Sequence, residues 1–488
     1  MITRREALLT GLFGSGMLGL RALATGLPAK LLLNPRKALA DMTTNACGIP
    51  TGAAQYVIFA TSGQGDPMGC NVPGTYLTDN PNLTGIVHPA DPTMVETSIS
   101  LGNKTYSAAK PWAMLDMNVT NNMNPTNILS RTCFCHIMTN TPVHPKEPQV
   151  LQLQGTTLNN EMFPSVLSAQ LAPCLSTLQA QPISIGAATP SEALTFQGQP
   201  QPTIPPSALR ATLANPPGEL TNVQAIRDAT LNSMYDAYKN GATRAQQQYI
   251  DSVVTSQQQV RGIKQNLLAN LQNISDNTIA SQISAAITLI QMNVSPVIAI
   301  HIPFGGDNHS DQALATETAQ TVGAPPTPGG LPTGGVSAIA YLMTQLGAVN
   351  LLDAVSLVTL NVFNRTMYGQ ANLTGRQHNE YHQVSLLIGK PFASALIGGM
   401  APVNSSGAFV SPGDQGVGGD FGCLPINSQS GVGDATGGSG DIAPVDTLAA
   451  FGMTVMTGVG IPSATVNQQI PPVGKSTAKV IQGALANP

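Results

Sequence analysis

The stretch from Val297 to His309, VIAIHIPFGGDNH, joins an apolar, β-branched run to a glycine pair and then to Asp307 and His309 in an Asp-x-His pair. Aspartate and histidine hold divalent cations in hydrolases. Their position directly after a buried-strand pattern matters, because open α/β sheets bind ligands at the carboxyl ends of their strands. Farther along, the sequence GRQH supplies Arg376 and His378. His378 is a third candidate ligand, and the Arg376 guanidinium is a fork that suits the oxygens of a phosphate or sulfate. A structural salt link is the other role open to Arg376. This set points to a polar site able to hold a divalent ion such as zinc, manganese or iron, and does not by itself name a substrate.

Such a site needs strands to place it. Residues 55–60 read as a short buried strand, and 61–66 (TSGQGD) as its glycine-rich exit ending in Asp66. Residues 67–130 are rich in turn formers, and a strand follows over 131–138. Within that strand, Cys133, Cys135 and Ile137 alternate with Phe134, His136 and Met138, so the two sets face opposite sides. That alternation favours a half-buried strand over a metal site at the Cys-x-Cys-His run. Residues 139–148 form a loop that carries His144. Pro164 and Ser165 open a helix through about residue 171, and 175–218 is a long connection rich in Pro, Gln and Ala. From 219 to about 292 the apolar spacing is helical, which predicts an insert of two or three helices. A strand from 297, a helix over 336–346 and strands over 356–363 and 384–388 follow. A Gly/Ser-rich loop at 403–442 leads to a closing helix over 445–460. Alternating strands and helices predict an α/β fold with a mostly parallel sheet covered on both faces.

Residues 1–40 read as an export signal rather than as part of the fold. Arg4 and Arg5 precede a moderately apolar stretch that ends at Leu20, and Ala38-Leu39-Ala40 offers a small-x-small cleavage site. The arginine pair favours the twin-arginine route, which makes the twin-arginine translocase a transient partner and predicts a periplasmic or extracellular protein. Arg21 interrupts the apolar run at about fourteen residues, short of the roughly twenty a spanning helix needs. No stable membrane span is therefore expected after cleavage. Residues 41–488 are expected to fold as a single α/β domain. The leader holds six of the 21 basic residues and one of the 25 acidic ones, so the remainder carries a net charge of −9. That balance excludes a nucleic-acid partner. Charged residues are only 9% of the 488, against about 25% in ordinary soluble domains, and neutral polar residues replace them. Six cysteines in an exported chain predict one to three disulfides, with the pairing open.

The twin-arginine start, Pro164-Ser165, GDNHSDQ at 306–312 and GRQHN at 375–379 together resemble a group of exported bacterial proteins. The group is known as domain of unknown function 1501, within the alkaline phosphatase and sulfatase superfamily. ALIGG at 395–399 and DTLAAF at 446–451 fall where that group carries its late Gly-Gly strand and final helix. The resemblance spans essentially the whole chain. It implies a central sheet sandwiched between helices, with a metal-assisted phosphate- or sulfate-ester site at the strand ends. Asp307 and His309 then match the ligands of one metal, and Asp66 lies in the region that supplies a bridging carboxylate. His378 stands in the Gly-Arg-Asp-His motif, with Gln377 in place of the carboxylate. His144 lies in the loop of the Asn-His-Ser motif as a catalytic candidate, with Pro145 where a hydroxyl would follow. Thr139 and Thr141 are the stand-ins for a nucleophile, and no histidine after His382 supplies a late ligand. Two classes of function follow. One is an ester hydrolase that uses Asp66, Asp307, His309 and His378 as ligands and His144 and Arg376 as catalytic groups. The other keeps the fold without the chemistry, as an envelope protein that binds a partner or builds structure.

Overall fold

The computed structural model describes residues 52–186, 194–214, 274–324, 330–369, 374–434, 438–471 and 476–486, together with Ile49, residues 239–240 and single positions between these segments. The proposed leader lies outside the described residues, as does most of the expected helical insert.

Eight strands form the central sheet. In chain order they are β1 (Tyr56–Ser62), β2 (Thr132–Ile137), β3 (Ile183–Ile185), β4 (Thr203–Ile204), β5 (Val297–Ile300), β6 (Val355–Asn361), β7 (Gln383–Ile388) and β8 (Ala395–Ile397). Their spatial order is β4-β3-β5-β1-β6-β7-β2-β8. All neighbours pair in parallel except β7, which runs antiparallel to both β6 and β2. The expectation of a mostly parallel α/β sheet is met, and the sheet is mixed because of this one strand.

The period-2 alternation of each strand divides its side chains between two cores. On one face, Ile58, Ile298, Leu357, Leu386 and Phe134 pack with residues of α2 (Ile279–Gln291) and α4 (Gly335–Ala348). On the other, Val57, Phe59, Val297, Val358, Cys133 and Cys135 pack with α1 (Phe163–Leu175) and α5 (Thr447–Gly458). Burial on both faces explains why β1 and β5 are near-continuous apolar runs. It also settles Cys133 and Cys135, whose sulfurs lie 3.5 Å apart within a core. A shorter helix, α3 (Ala315–Val322), supports the loop after β5. No helix of the described residues is long and apolar enough to cross a membrane. Cys174 is disulfide-bonded, whereas Cys70, Cys133, Cys135 and Cys423 are free thiols.

Register brings the functional loops together. β1 and β6 pair from Tyr56↔Val355 to Ser62↔Asn361, so both chains leave the sheet side by side. β5 flanks β1 on its other edge and ends at Ile300, paired with Ala60. The exits of β5, β1 and β6 thus form one rim. β2 runs in the same direction, so its exit opens towards that rim as well.

Candidate metal centre

Four side chains converge on this rim. His144 comes from the turn after β2, Asp307 and His309 from the loop after β5, and His378 from a two-residue ribbon strand paired with Asn364–Arg365 beyond β6. One ligand atom from each lies within 4.8 Å of all the others. Close backbone approach makes this possible. A Cβ on Gly375 would sit 2.5 Å from the carbonyl oxygens of both Asn308 and His309, so only glycine lets the two loops touch there.

The hydrogen bonds fix how the three imidazoles present themselves. His144 Nδ1 lies 2.7 Å from the Gly63 carbonyl, and His378 Nδ1 contacts the Pro142 carbonyl. His309 Nδ1 lies 2.8 Å from Gln377 Oε1. All three partners are acceptors, so each Nδ1 carries the proton and each Nε2 offers a lone pair. Metal-binding histidines are oriented in this way by their outer partners. The three lone pairs point into one space. His309 Nε2 and His378 Nε2 are 2.8 Å apart, and His144 Nε2 is buried without a hydrogen-bond partner. Asp307 closes the set, with one oxygen 3.1 Å from His309 Nε2 and the other 3.7 Å from His144 Nε2. Facing lone pairs beside a carboxylate repel each other unless a cation lies between them. The donor set therefore fits a single divalent ion, and imidazole with carboxylate suits zinc, iron or manganese.

Arg365 adds a fixed positive charge. Its side chain is fully buried, its Nη2 is 2.9 Å from Asp307, and its Nη1 is 3.3 Å from His309 Nε2. The carbonyls of Gln64 and Gly65 hold the same guanidinium from behind. Phe363 lies under the group, with its ring 4.3 Å from His378, 4.8 Å from His144 and 5.3 Å from the guanidinium carbon. Burial pulls the His378 imidazole down to about 4, and the nearby Arg365 charge adds to the effect. His378 is thus neutral at ordinary pH, the form a metal requires. Asp307 remains 43% exposed, so the centre opens to solvent and to a ligand.

Two expected residues lie elsewhere. Arg376 is not at the centre. Its guanidinium is buried and ion-paired with Glu317, and it also donates to the carbonyls of Thr366 and Val87. It fills the structural salt-link role, and Arg365 stands where Arg376 was expected. Asp66 is outside the group of four. One carboxylate oxygen accepts the Gly306 N–H at 2.7 Å and the Phe304 N–H at 3.4 Å, which ties the β1 exit to the β5 exit. A carboxylate used in this way shapes the loop that presents Asp307. His144, expected as a catalytic group, belongs to the donor set itself. Arg365 escaped sequence reasoning although one signal was present. It follows an apolar strand and Phe363, the same pattern that singled out Asp307 and His309.

Among the described residues, no serine, threonine or cysteine side chain hydrogen-bonds to the four donor groups. Thr139 and Thr141 are both buried. No family model, curated protein or solved structure matches the chain.

Proposed function

We propose that this chain is an exported, metal-dependent hydrolase of small phosphate or sulfate esters, built on a sheet of the alkaline phosphatase and sulfatase kind. The observation that carries the reading is the shared tautomer of His144, His309 and His378, which turns three Nε2 lone pairs and Asp307 towards one point. A bound divalent ion would polarise the ester and lower the pKa of a water. The chain's own residues supply the rest. One carboxylate is too little negative charge to balance a divalent ion and the Arg365 guanidinium, so the centre favours an anionic ligand. Arg365 Nη1 is the end of the guanidinium not held by Asp307 or by the Gln64 and Gly65 carbonyls, and it is placed to donate to one oxygen of that ligand. The Gln64 and Gly65 carbonyls and the Phe363 ring hold the guanidinium still, which limits reorganisation during reaction.

Four protein donors close a tetrahedral ion, while a six-coordinate ion keeps open positions. Catalysis therefore favours manganese or iron over zinc. The resemblance to domain of unknown function 1501 and the disulfide at Cys174 support export into an oxidising compartment through the twin-arginine translocase. A second reading, oxyanion binding without turnover, draws on the absence of any hydroxyl or thiol contact to the donors among the described residues.

The test is turnover of 4-nitrophenyl phosphate and 4-nitrophenyl sulfate by manganese- or iron-loaded protein. The reading expects hydrolysis that falls at least 100-fold in His309→Ala and in Arg365→Met. Loaded protein that binds phosphate yet hydrolyses neither ester would leave the binding reading in its place.

A further inference from the structure

We propose that Gln377 is the positioning residue of this centre, and that an amide at this place keeps Arg365 available to the anionic ligand. The proposal rests on the metal reading above and deepens it. Gln377 follows the expected motif in position but not in charge, and its neutral side chain is a poor ligand for a hard cation. The structure gives it a different task. Gln377 Oε1 lies 2.8 Å from His309 Nδ1 and points away from the ligand atoms. It is the only side-chain acceptor among the three that orient the imidazoles, since Gly63 and Pro142 use backbone carbonyls.

The Gln377 backbone is anchored on both sides. Its N–H donates to Thr366 Oγ1 at 2.8 Å, and its carbonyl accepts the Thr366 N–H at 2.9 Å. The side chain therefore leaves a fixed point. With Oε1 as acceptor, the His309 proton stays on Nδ1 and Nε2 keeps its lone pair for the cation. Without an acceptor there, the proton can move to Nε2 and be held by Asp307 at 3.1 Å, which removes two donors at once.

Charge explains the choice of amide. Arg365 Nη1 is already 3.3 Å from the same imidazole. A carboxylate at 377 would orient His309 equally well. It would also add negative charge across the imidazole from Arg365, lower the net positive charge of the centre and weaken its hold on an anion. The amide orients the ring and leaves the surplus positive charge intact.

The experiment compares wild type with Gln377→Leu and Gln377→Glu, using zinc as a diamagnetic probe and inorganic phosphate as the anion. Zinc affinity is measured by chelator competition, phosphate affinity by calorimetry on zinc-loaded protein. The histidine ring protons are followed by 15N NMR on histidine-labelled protein. Gln377→Leu is expected to bind zinc about 10–100-fold more weakly, the usual cost of losing an outer partner. It should also lose the protected Nδ1–H signal of His309, while those of His144 and His378 persist as internal controls of folding. Gln377→Glu should hold zinc at least as tightly as wild type and keep the His309 signal, but bind phosphate several-fold more weakly. Wild-type zinc affinity in Gln377→Leu overturns the positioning role. Unchanged phosphate affinity in Gln377→Glu overturns the charge argument. A wild type that binds no zinc removes the metal reading and this proposal together, whereas zinc binding that ignores Gln377 removes only the proposal.

Discussion

Gly65 lies at the exit of β1 with φ +64°, and a Cβ there would sit 2.1 Å from the Phe363 ring. That ring supports His144, His378 and Arg365 together, so the glycine is a condition of the centre rather than a loop filler. Gly65→Ala meets both a left-handed backbone penalty and an overpacked aromatic. A loss of about 2–4 kcal/mol in urea unfolding is expected, with metal affinity reduced alongside it. Unchanged stability and affinity would show that Phe363 has room to move and does not hold the group. Single residues were partly legible in the sequence. Asp307 and His309 stood out because ionisable groups are scarce in this chain and these two follow a strand pattern, and His378 stood out through the GRQH run. Arg365 did not, because the nearby GRQH motif drew attention to Arg376. Nothing in the sequence separates a guanidinium on the rim from one under it.

The element that governs the centre is the ribbon of Asn364–Arg365 and His378–Asn379. It carries Arg365 and His378, with Gln377 directly before it, and two buried carboxylates clamp it. Asp420 accepts the N–H groups of Met367 and Tyr368 and the Asn379 amide. Glu317 on α3 pairs with Arg376, and Asn71 donates to the same carboxylate at 3.1 Å. Arg376→Met leaves Glu317 buried without its charge partner. It is expected to cost about 3–5 kcal/mol, and an Arg376→Met/Glu317→Leu pair should recover much of that. If the single variant unfolds at the wild-type urea midpoint, the pair is not a clamp.

A second clamp lies behind the ribbon, where hydrogen bonds run in one direction. Asn364 donates to His382 Nδ1, His382 Nε2 to His136 Nδ1 at 2.8 Å, and His136 Nε2 to the Pro73 carbonyl at 3.0 Å. Both rings are neutral in this arrangement. Burial pulls His136 down to about 4 and His382 well below its usual value of 6.5. In the unfolded chain both titrate near 6.5, so between that pH and about 4 the unfolded state binds more protons. Their stabilisation is complete above pH 6.5 and declines as pH falls, by up to about 1.4 kcal/mol per unit for each ring. Asp420, raised to about 7 by burial, acts with the opposite sign. The informative quantity is therefore the difference between wild type and His382→Gln. The variant should show a slope between pH 6.5 and 4.5 smaller by about one proton, and an equal slope would mean that the pair is not held neutral.

At the scale of the whole molecule, the α/β class was legible and several details were not. Apolar runs without alternation, such as VIAI at 297–300, announced strands buried on both faces. The helices at 163–175, 335–348 and 447–458 fall where the sequence predicts helices at 164–171, 336–346 and 445–460. The antiparallel run of β7 was not legible, because direction depends on the long path of the chain between β6 and β7 rather than on local pattern. Convergence of His144 with the other three donors was equally hidden. It depends on β2 lying two strands from β6, a fact of topology.

The centre depends on a cation at that convergence. The most direct measurement is the metal content of protein reconstituted with zinc, manganese or iron and freed of excess, by elemental mass spectrometry, beside an Asp307→Ala/His309→Ala variant. One equivalent in the wild type and none in the folded variant is the predicted result. A folded wild type that retains no more metal than the variant would contradict the account.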